Sequence, residues 1–471
     1  MKISFLFVGL LALGGCTLDP NYVRPESPVP AQWPTGDAYG DVGRQTGGAQ
    51  AQDVALPAPW QQFVQDPKLS RVIDAALLNN RDLRRAAANI ESARAQYRIE
   101  RSDLFPTLAA GGDYTRSRSQ VALGGDSTSF VGNSYSVSAG LSAYELDFFG
   151  RVRSLSRAAL EQYLATEEAA RAARISVVAE VANAYILLAT DRALLDVAQQ
   201  TQASAEQTVK LIQARLSGGI SSRNELRQAE TIFQRARSDV ANYRTLIAQD
   251  RNALQLLVGQ SIDDDWLPAS LSPETAMFAQ VPAGMSSTVL LSRPDVAQAE
   301  HSLLAANANI GEARAAFFPR VSLTASGGFA SGELSGLFSS GNKAWSFAPS
   351  ISIPIFDGGF NRANLAYAQA QRDGLVADYE LAVQAAFRDV ADALARAGTI
   401  DEQLDAQRAL YEASLESYGL SDALYRRGVG TFLDALDAQR TLYSAQQTYL
   451  SALQLALENR VALYRALGGG V

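Results

Sequence analysis

Two stretches of this chain hold a helical hydrophobic period for far longer than an ordinary globular helix. Arg151 to Ser217 contains neither Gly nor Pro and is filled with Ala, Leu, Arg, Glu and Gln, all good helix formers. Its apolar residues recur at helical spacing, as in Ile175, Val178, Val181, Tyr185 and Leu188. The pattern predicts a single helix about 100 Å long, at 1.5 Å per residue. Phe360 to Arg427 predicts a second of similar length, interrupted only by Gly374, Gly398 and Gly419. Helices of this length point to coiled-coil packing. Each has a shorter partner behind it, at 224–257 and 433–467, and further helices are predicted at 68–103 and 288–316.

Between the helices the period changes to two. In SYSVSAGLSAYEL, Tyr135, Val137, Ala139, Leu141 and Ala143 face one way, while Ser134, Ser136, Ser138, Gly140 and Ser142 face the other. RVSLTASGGF alternates in the same way through Val321, Leu323, Ala325 and Phe329, and WSFAPSISIP through Trp345, Phe347, Ile351 and Ile353. With a weaker candidate after Pro106, the predicted strands lie at about 106–118, 133–147, 319–331 and 343–355. One apolar and one small polar face fit either a sandwich with a wet outer side or a porin-like wall between lipid and lumen.

The chain is duplicated. DLFPTLAAGG matches AFFPRVSLTASGG at an offset of 213 (Phe105 to Phe318), and RLSGGISSRNEL matches YRRGVGTFLDAL at 210 (Gly218 to Gly428). Each half reads helix, strand, strand, very long helix, tight turn, helix. The expected organisation is a signal peptide at 1–15, a tether at 16–60, a first repeat at 61–258, a linker at 259–287 and a second repeat at 288–471. Four strands cannot seal themselves in hydrocarbon, where every edge N–H and C=O needs a partner, and closed barrels begin at about eight strands. A ring of identical chains is therefore required; a dimer supplies eight strands and a trimer twelve.

At the N-terminus, Lys2 precedes an apolar run, Ile3 to Leu13, of signal-peptide length. Gly14 and Gly15 lead to Cys16, the only cysteine. The stretch resembles a bacterial lipobox, which implies cleavage before Cys16 and acylation of its thiol; Thr17 at the next position implies export to the outer membrane. The net charge of −8 argues against a nucleic-acid partner. None of the four lysines, Lys2, Lys68, Lys210 and Lys343, follows a glycine, so no Walker-A loop exists. A single histidine, His301, has no evident catalytic partner, and Asp263, Asp264 and Asp265 read as a solvated acidic loop rather than a cation site. No enzyme, cofactor or metal is expected.

ELDFFGRVRS, EQYLATE, PAGMSSTVLLSRPDVAQAEH, AANANIGEARAAFFPR, PIFDGG and LDAQRTLY together resemble the outer-membrane factors of tripartite efflux pumps, the TolC family, in its OprM-type lipoprotein branch. The likeness covers essentially the whole chain. It implies a homotrimeric channel-tunnel, with a 12-stranded β-barrel in the outer membrane continuous with a periplasmic α-helical barrel. It also implies partners: a periplasmic adaptor, an inner-membrane transporter of the RND type and outer-membrane lipid. The resemblance places a periplasmic gate at Tyr425, Leu433, Asp434, Asp437 and Arg440, with Asn224 and Glu225 at the matching place in the first repeat. Gly218, Gly219, Gly428 and Gly430 lie in the two turns near the expected adaptor docking grooves, and Gly430 stands where relatives carry an inter-protomer arginine. Residue spacing keeps plainer readings open. Ser222/Glu225 and Thr431/Asp434 have capping-box spacing, Gly218 and Gly428 suit helix termination, and Asp437/Arg440 fit a surface pair. Two other functions remain: a type I protein-secretion duct, which Cys16 weighs against, and a lipid-anchored coiled-coil scaffold without a pore, which the strands weigh against.

Overall fold

A computed structural model describes residues 17–42, 59–123, 126–272, 274, 276–280 and 286–470. The expected signal peptide and the expected lipidation site, Cys16, lie outside the described residues. In chain order the elements are α1 (Trp60–Phe63), α2 (Pro67–Asn79), α3 (Arg81–Ser102), β1 (Leu108–Leu123), β2 (Asp126–Leu146), α4 (Arg151–Ser217), α5 (Arg223–Val258), α6 (Pro294–Ala315), β3 (Arg320–Ser331), β4 (Lys343–Ser352), α7 (Phe360–Arg426) and α8 (Phe432–Ala466).

The helix expected over 68–103 is two helices. Asn80 ends α2 with its backbone N–H on Ala76, and its side-chain oxygen accepts from the amides of Asp82 and Leu83 to open α3. The helix expected from 288 begins at Pro294, after a 3-10 turn over Ser287–Ser292. The duplication also has a finer register than its motifs suggest. α4 and α7 are both 67 residues long and start 209 residues apart (151 and 360). The Phe-Pro corners, Phe105 and Phe318, are 213 apart; the second hairpin region is shorter by that difference.

The two halves are not two compact units. The described residues within Met1–Pro25, Asn89–Thr166 and Gln298–Tyr379 form one unit; those within Glu26–Ala88, Glu167–Ala297 and Glu380–Val471 form the other. The first holds the sheet, antiparallel in the order β1-β2-β3-β4. Cross-strand partners share a face, so the register sorts the side chains. One face carries Leu108, Val137, Leu141, Leu323, Phe329, Phe347 and Ile351; the other carries Ser136, Ser138, Ser322, Ser326, Ser346 and Ser350. Serine pairs cross the polar face, Ser322 to Ser350 at 2.7 Å and Ser326 to Ser346 at 2.8 Å.

The alternation read from the sequence breaks at one point. A bulge between Leu141 and Tyr144 places two residues of β2 opposite one of β3, with Ala143 at φ +54°. An extra residue reverses which face each later side chain meets. Tyr144 and Leu146, not Ala143, therefore continue the apolar face, and Glu145 moves to the polar one. There Glu145 forms a two-pronged ion pair with Arg151, both bonds 2.8 Å, and a second with Arg320 at 3.3 Å. Without the bulge this carboxylate would stand on the apolar face, at a cost of several kcal/mol in lipid. β1 and β2 also run further than expected, to Leu123 and from Asp126, whereas β4 stops at Ser352.

In the same unit the segment after Cys16 is strapped to α4 and α6. Asp19 accepts from Ser154 and Arg157, the carbonyl of Pro20 from Asn307 at 2.8 Å, and Glu300 from Arg24 Nε at 2.7 Å and Nη2 at 2.8 Å. His301 is part of this structure, its Nδ1 2.7 Å from Glu161.

The core of the second unit forms where the central turns of α4 meet α2, α5 and α8. Val181, Tyr185, Ile186 and Leu188 pack with Leu69, Ile73, Leu254 and Val461. α4 contains a stretch apolar enough to cross a membrane by length and composition, but 56% of that stretch is buried inside the protein. Its hydrophobicity serves the helical core.

Candidate functional site

Each long helix ends in the same turn. The N–H of Ile220 reaches the carbonyl of Arg215 and that of Gly219 reaches Leu216; the N–H of Val429 reaches Leu424 and that of Gly428 reaches Tyr425. This is the Schellman arrangement, which places one residue in the left-handed region. That residue is Gly219 (φ +75°) in the first turn and Gly428 (φ +79°) in the second. Gly218 is thus not the counterpart of Gly428, and the turns share the 209-residue offset of the helices. A side chain costs about 1–2 kcal/mol in that conformation. Gly219→Ala is expected to destabilise the solubilised protein by about 1 kcal/mol in thermal melts, and Gly218→Ala to leave it unchanged.

The next helices start on side-chain caps. In the first turn Ser222 and Glu225 form a complete capping box, Glu225 accepting the Ser222 amide at 2.8 Å and Ser222 Oγ accepting the Glu225 amide at 3.2 Å. The second is half of one. Thr431 Oγ1 accepts the Asp434 amide at 3.1 Å, but the Asp434 carboxylate accepts from the Thr431 hydroxyl at 2.6 Å instead of its backbone. Asn224 is exposed beside the first cap.

α8 then divides cleanly. Phe432, Ala435 and Leu436 are buried in a cluster that includes Ile212, Ile232 and Tyr425, and Gln439 is buried as well. Leu433, Asp434, Asp437 and Arg440 are exposed, and Leu433, Asp437 and Arg440 follow the spacing of one helix face. Tyr425 lies in the packed layer, with the Arg215 guanidinium 4.7 Å from its ring centre and Phe432 at 5.6 Å. Arg440 does not pair with Asp437. Its Nη2 donates to Thr231 Oγ1 on α5 at 3.0 Å, which leaves the Asp437 carboxylate without a partner among the described residues. Nearby, Tyr443 donates to Asp239 at 2.7 Å; burial first, and then that carboxylate, raise its pKa. At Gly430 a Cβ would stand 2.9 Å from the Cβ of Leu424 and 3.1 Å from the Tyr425 nitrogen, so this turn is built for glycine.

Around both turns apolar side chains face outward. Ile220 is 79% exposed and Val429, at the equivalent position, 74%. In the acidic loop Asp263 caps a 3-10 turn and Asp264 pairs with Arg251 at 2.5 Å. No cluster of three or more metal-ligating side chains occurs among the described residues.

Two features escaped sequence reasoning. Arg293 is buried; it grips Asp295 with two bonds and donates to the carbonyl of Ala466 at 2.7 Å, tying the end of α8 to the start of α6. The only signal was its place in the SRPD tetrapeptide. In the second unit, Asp191 of α4 and Asp250 of α5 are buried together. Desolvation, then its neighbour Asp250, pushes the Asp191 carboxyl up to about 7. The signal for it was a lone Asp in the apolar run ILLATDRALL.

Comparison with known proteins agrees with this architecture. The profile of the outer membrane efflux protein family matches residues 72–260 and 285–469. The solvent efflux pump outer membrane protein SrpC of Pseudomonas putida is 50% identical over 473 residues, covering 100% of this chain and 99% of its own length. A membrane protein from Pseudomonas aeruginosa superposes with a TM-score of 0.87 at 41% identity, over 96% of this chain and 100% of its own. The open state of the Neisseria gonorrhoeae MtrE outer membrane channel gives 0.85 at 41% identity, over 97% and 98%. The four strands of this chain form one third of the 12-stranded barrel of a homotrimeric channel-tunnel, and its long helices build the periplasmic tunnel. The chain belongs to the outer membrane efflux protein family and is an outer-membrane channel component of an efflux pump, not an enzyme.

Proposed function

We infer that three copies of this chain form the exit duct of a tripartite pump and that the face of α8 bearing Leu433 and Asp437 is its gate. One observation carries the gate. The side of α8 opposite its packed layer presents an exposed leucine and, one turn on, a carboxylate without an ion-pair partner among the described residues. Three-fold symmetry converts Asp437 into a ring that attracts cations and Leu433 into a ring that dewets. Asp434 and Glu225 act first as helix caps. Tyr425 supports the gate from within the packed layer, and Arg440 holds it to α5. Asp437→Ala is expected to raise single-channel conductance in planar bilayers and to weaken cation selectivity. Unchanged conductance and selectivity would remove Asp437 from the gate.

Energy comes from an inner-membrane RND-type transporter joined through a periplasmic adaptor. The exposed Ile220 and Val429, repeated at equivalent turns, support docking of the adaptor there. SrpC is named for solvent efflux, and we extend small apolar molecules to this chain as substrates. Loss of the gene should sensitise cells to organic solvents. Cys16 is the acylated anchor, and the strap from Asp19 to Arg24 holds the chain beside it against α4 and α6. Mass spectrometry of the mature N-terminus tests the acylation.

A further inference from the structure

The outward face of the sheet ends in a set of like charges. β1 follows α3 and β2 leads into α4, so both helix junctions lie at one end of this hairpin and its turn at the other. From the helix end, the apolar face runs through Leu146, Tyr144, Leu141 and Val137 to Tyr135. The bulge leaves ten paired steps in that band; at about 3.3 Å per residue and a tilt near 40° it rises about 25 Å, the height of the apolar band of outer-membrane barrels. It closes on a stacked aromatic pair, Tyr114 and Tyr135, with ring centres 4.7 Å apart. Directly beyond, on the same face of β1, stand Arg116 opposite Asn133 and Arg118 opposite Val131. Both are exposed and have no hydrogen bond or ion pair among the described residues. Lys343, exposed at the start of β4, shares this outward face opposite Phe329. The carboxylates Asp113 and Glu145 stand on the other, serine-bearing face.

We propose that Arg116 and Arg118 form a binding surface for the phosphate groups of the phosphorylated glycolipid that makes up the outer leaflet of the outer membrane. Alternate residues of a strand on one face are about 7 Å apart, so the two guanidiniums present adjacent forks, each able to grip a phosphate by two hydrogen bonds. They sit where the acyl region ends and headgroups begin, as the tyrosine pair marks. Among the described residues no carboxylate of the strands shares that face, and a cation beside an anionic lipid surface is worth about 1 kcal/mol, roughly fivefold in occupancy per charge.

The proposal rests on the outer-membrane channel assignment, and its test leaves that assignment separable. Native mass spectrometry of the trimer would compare bisphosphorylated lipid A, dephosphorylated lipid A and phosphatidylglycerol. Wild-type protein should retain the bisphosphorylated form at least fivefold better than either alternative. Arg116→Gln/Arg118→Gln should lose that preference at unchanged single-channel conductance, and Arg116→Lys/Arg118→Lys should keep part of it. Equal retention of all three lipids by wild-type protein, or unaltered preference in the glutamine variant, would overturn the proposal.

Discussion

Gly328→Val abolishes assembly of the channel, while Gly327→Val, one residue away, leaves it intact: this is the first expected result. On the polar face β2 and β3 close up at two glycines. A Cβ at Gly328 would stand 2.6 Å from the Cα and 2.9 Å from the Cβ of Ser138; at Gly140 it would stand 2.7 and 2.8 Å from the same atoms of Ser326. Those are strand atoms, which cannot rotate away. The wall of a barrel narrows toward its lumen, so the inward face tolerates less volume than the outward one. Separating the strands also breaks the sheet at the join between its two hairpins. Overpacking of this kind costs about 3 kcal/mol or more, enough to unfold a marginal sheet. Gly327 lies on the outward face with nothing within 4 Å of its Cβ position. Trimer on a non-denaturing gel is the readout. A Gly328→Val protein that assembles as well as Gly327→Val would show that β2 and β3 are not so closely apposed.

The second expected result is a gain in stability at neutral and alkaline pH from Asp191→Asn. Asp191 is 6% and Asp250 8% exposed, and Oδ2 of Asp250 has no hydrogen-bond partner among the described residues. Two carboxyls that share a dry site cannot both ionise cheaply. Desolvation raises both, and for Asp191 the neighbouring carboxylate adds to it. The ordinary value of 3.8 is raised to about 7 for Asp191, so the folded chain keeps a proton that the unfolded chain has lost. Stability is fullest below the unfolded value. It falls as pH rises toward 7 and is constant beyond. Each pH unit of displacement is worth about 1.4 kcal/mol, which sets a ceiling of about 4 kcal/mol; water relaxation round the helices brings the expected effect to about 2 kcal/mol. The asparagine amide has no charge to bury and can donate to Asp250. At the equivalent positions the second repeat carries Ile400 and Asn459, so the helix pair can be built without two carboxylates. Apparent melting temperatures at pH 4, 6 and 8 decide it: wild-type and variant should coincide at pH 4 and diverge by pH 8. Parallel curves would mean that the pair does not share a proton.

The helices and the duplication were legible because they are written in local terms. The absence of Gly and Pro between Arg151 and Ser217, and an apolar period of 3.6, constrain each turn independently of what it later packs against. Ser222 and Glu225 likewise needed only their three-residue spacing to specify a cap. The net charge argued against a nucleic-acid partner, and the positions of the four lysines against a P-loop. The alternation of Ser134 to Leu141 revealed the two faces of β2, because side chains on a strand have no other period.

What remained hidden depends on atoms distant in sequence. No local feature marks the bulge at Ala143; it becomes visible only when β2 meets β3 and Glu145 finds Arg151 and Arg320. Gly218 and Gly219 are indistinguishable as letters, and the backbone path chooses which one turns left-handed. The division of α8 into a packed side with Tyr425 and an open side with Asp437 requires α4 and α5 to be present, as does the diversion of Arg440 to Thr231. Short-range propensity and period are properties of the chain alone, whereas strand register, burial and charge pairing are settled by whichever neighbours the fold brings within a few ångströms.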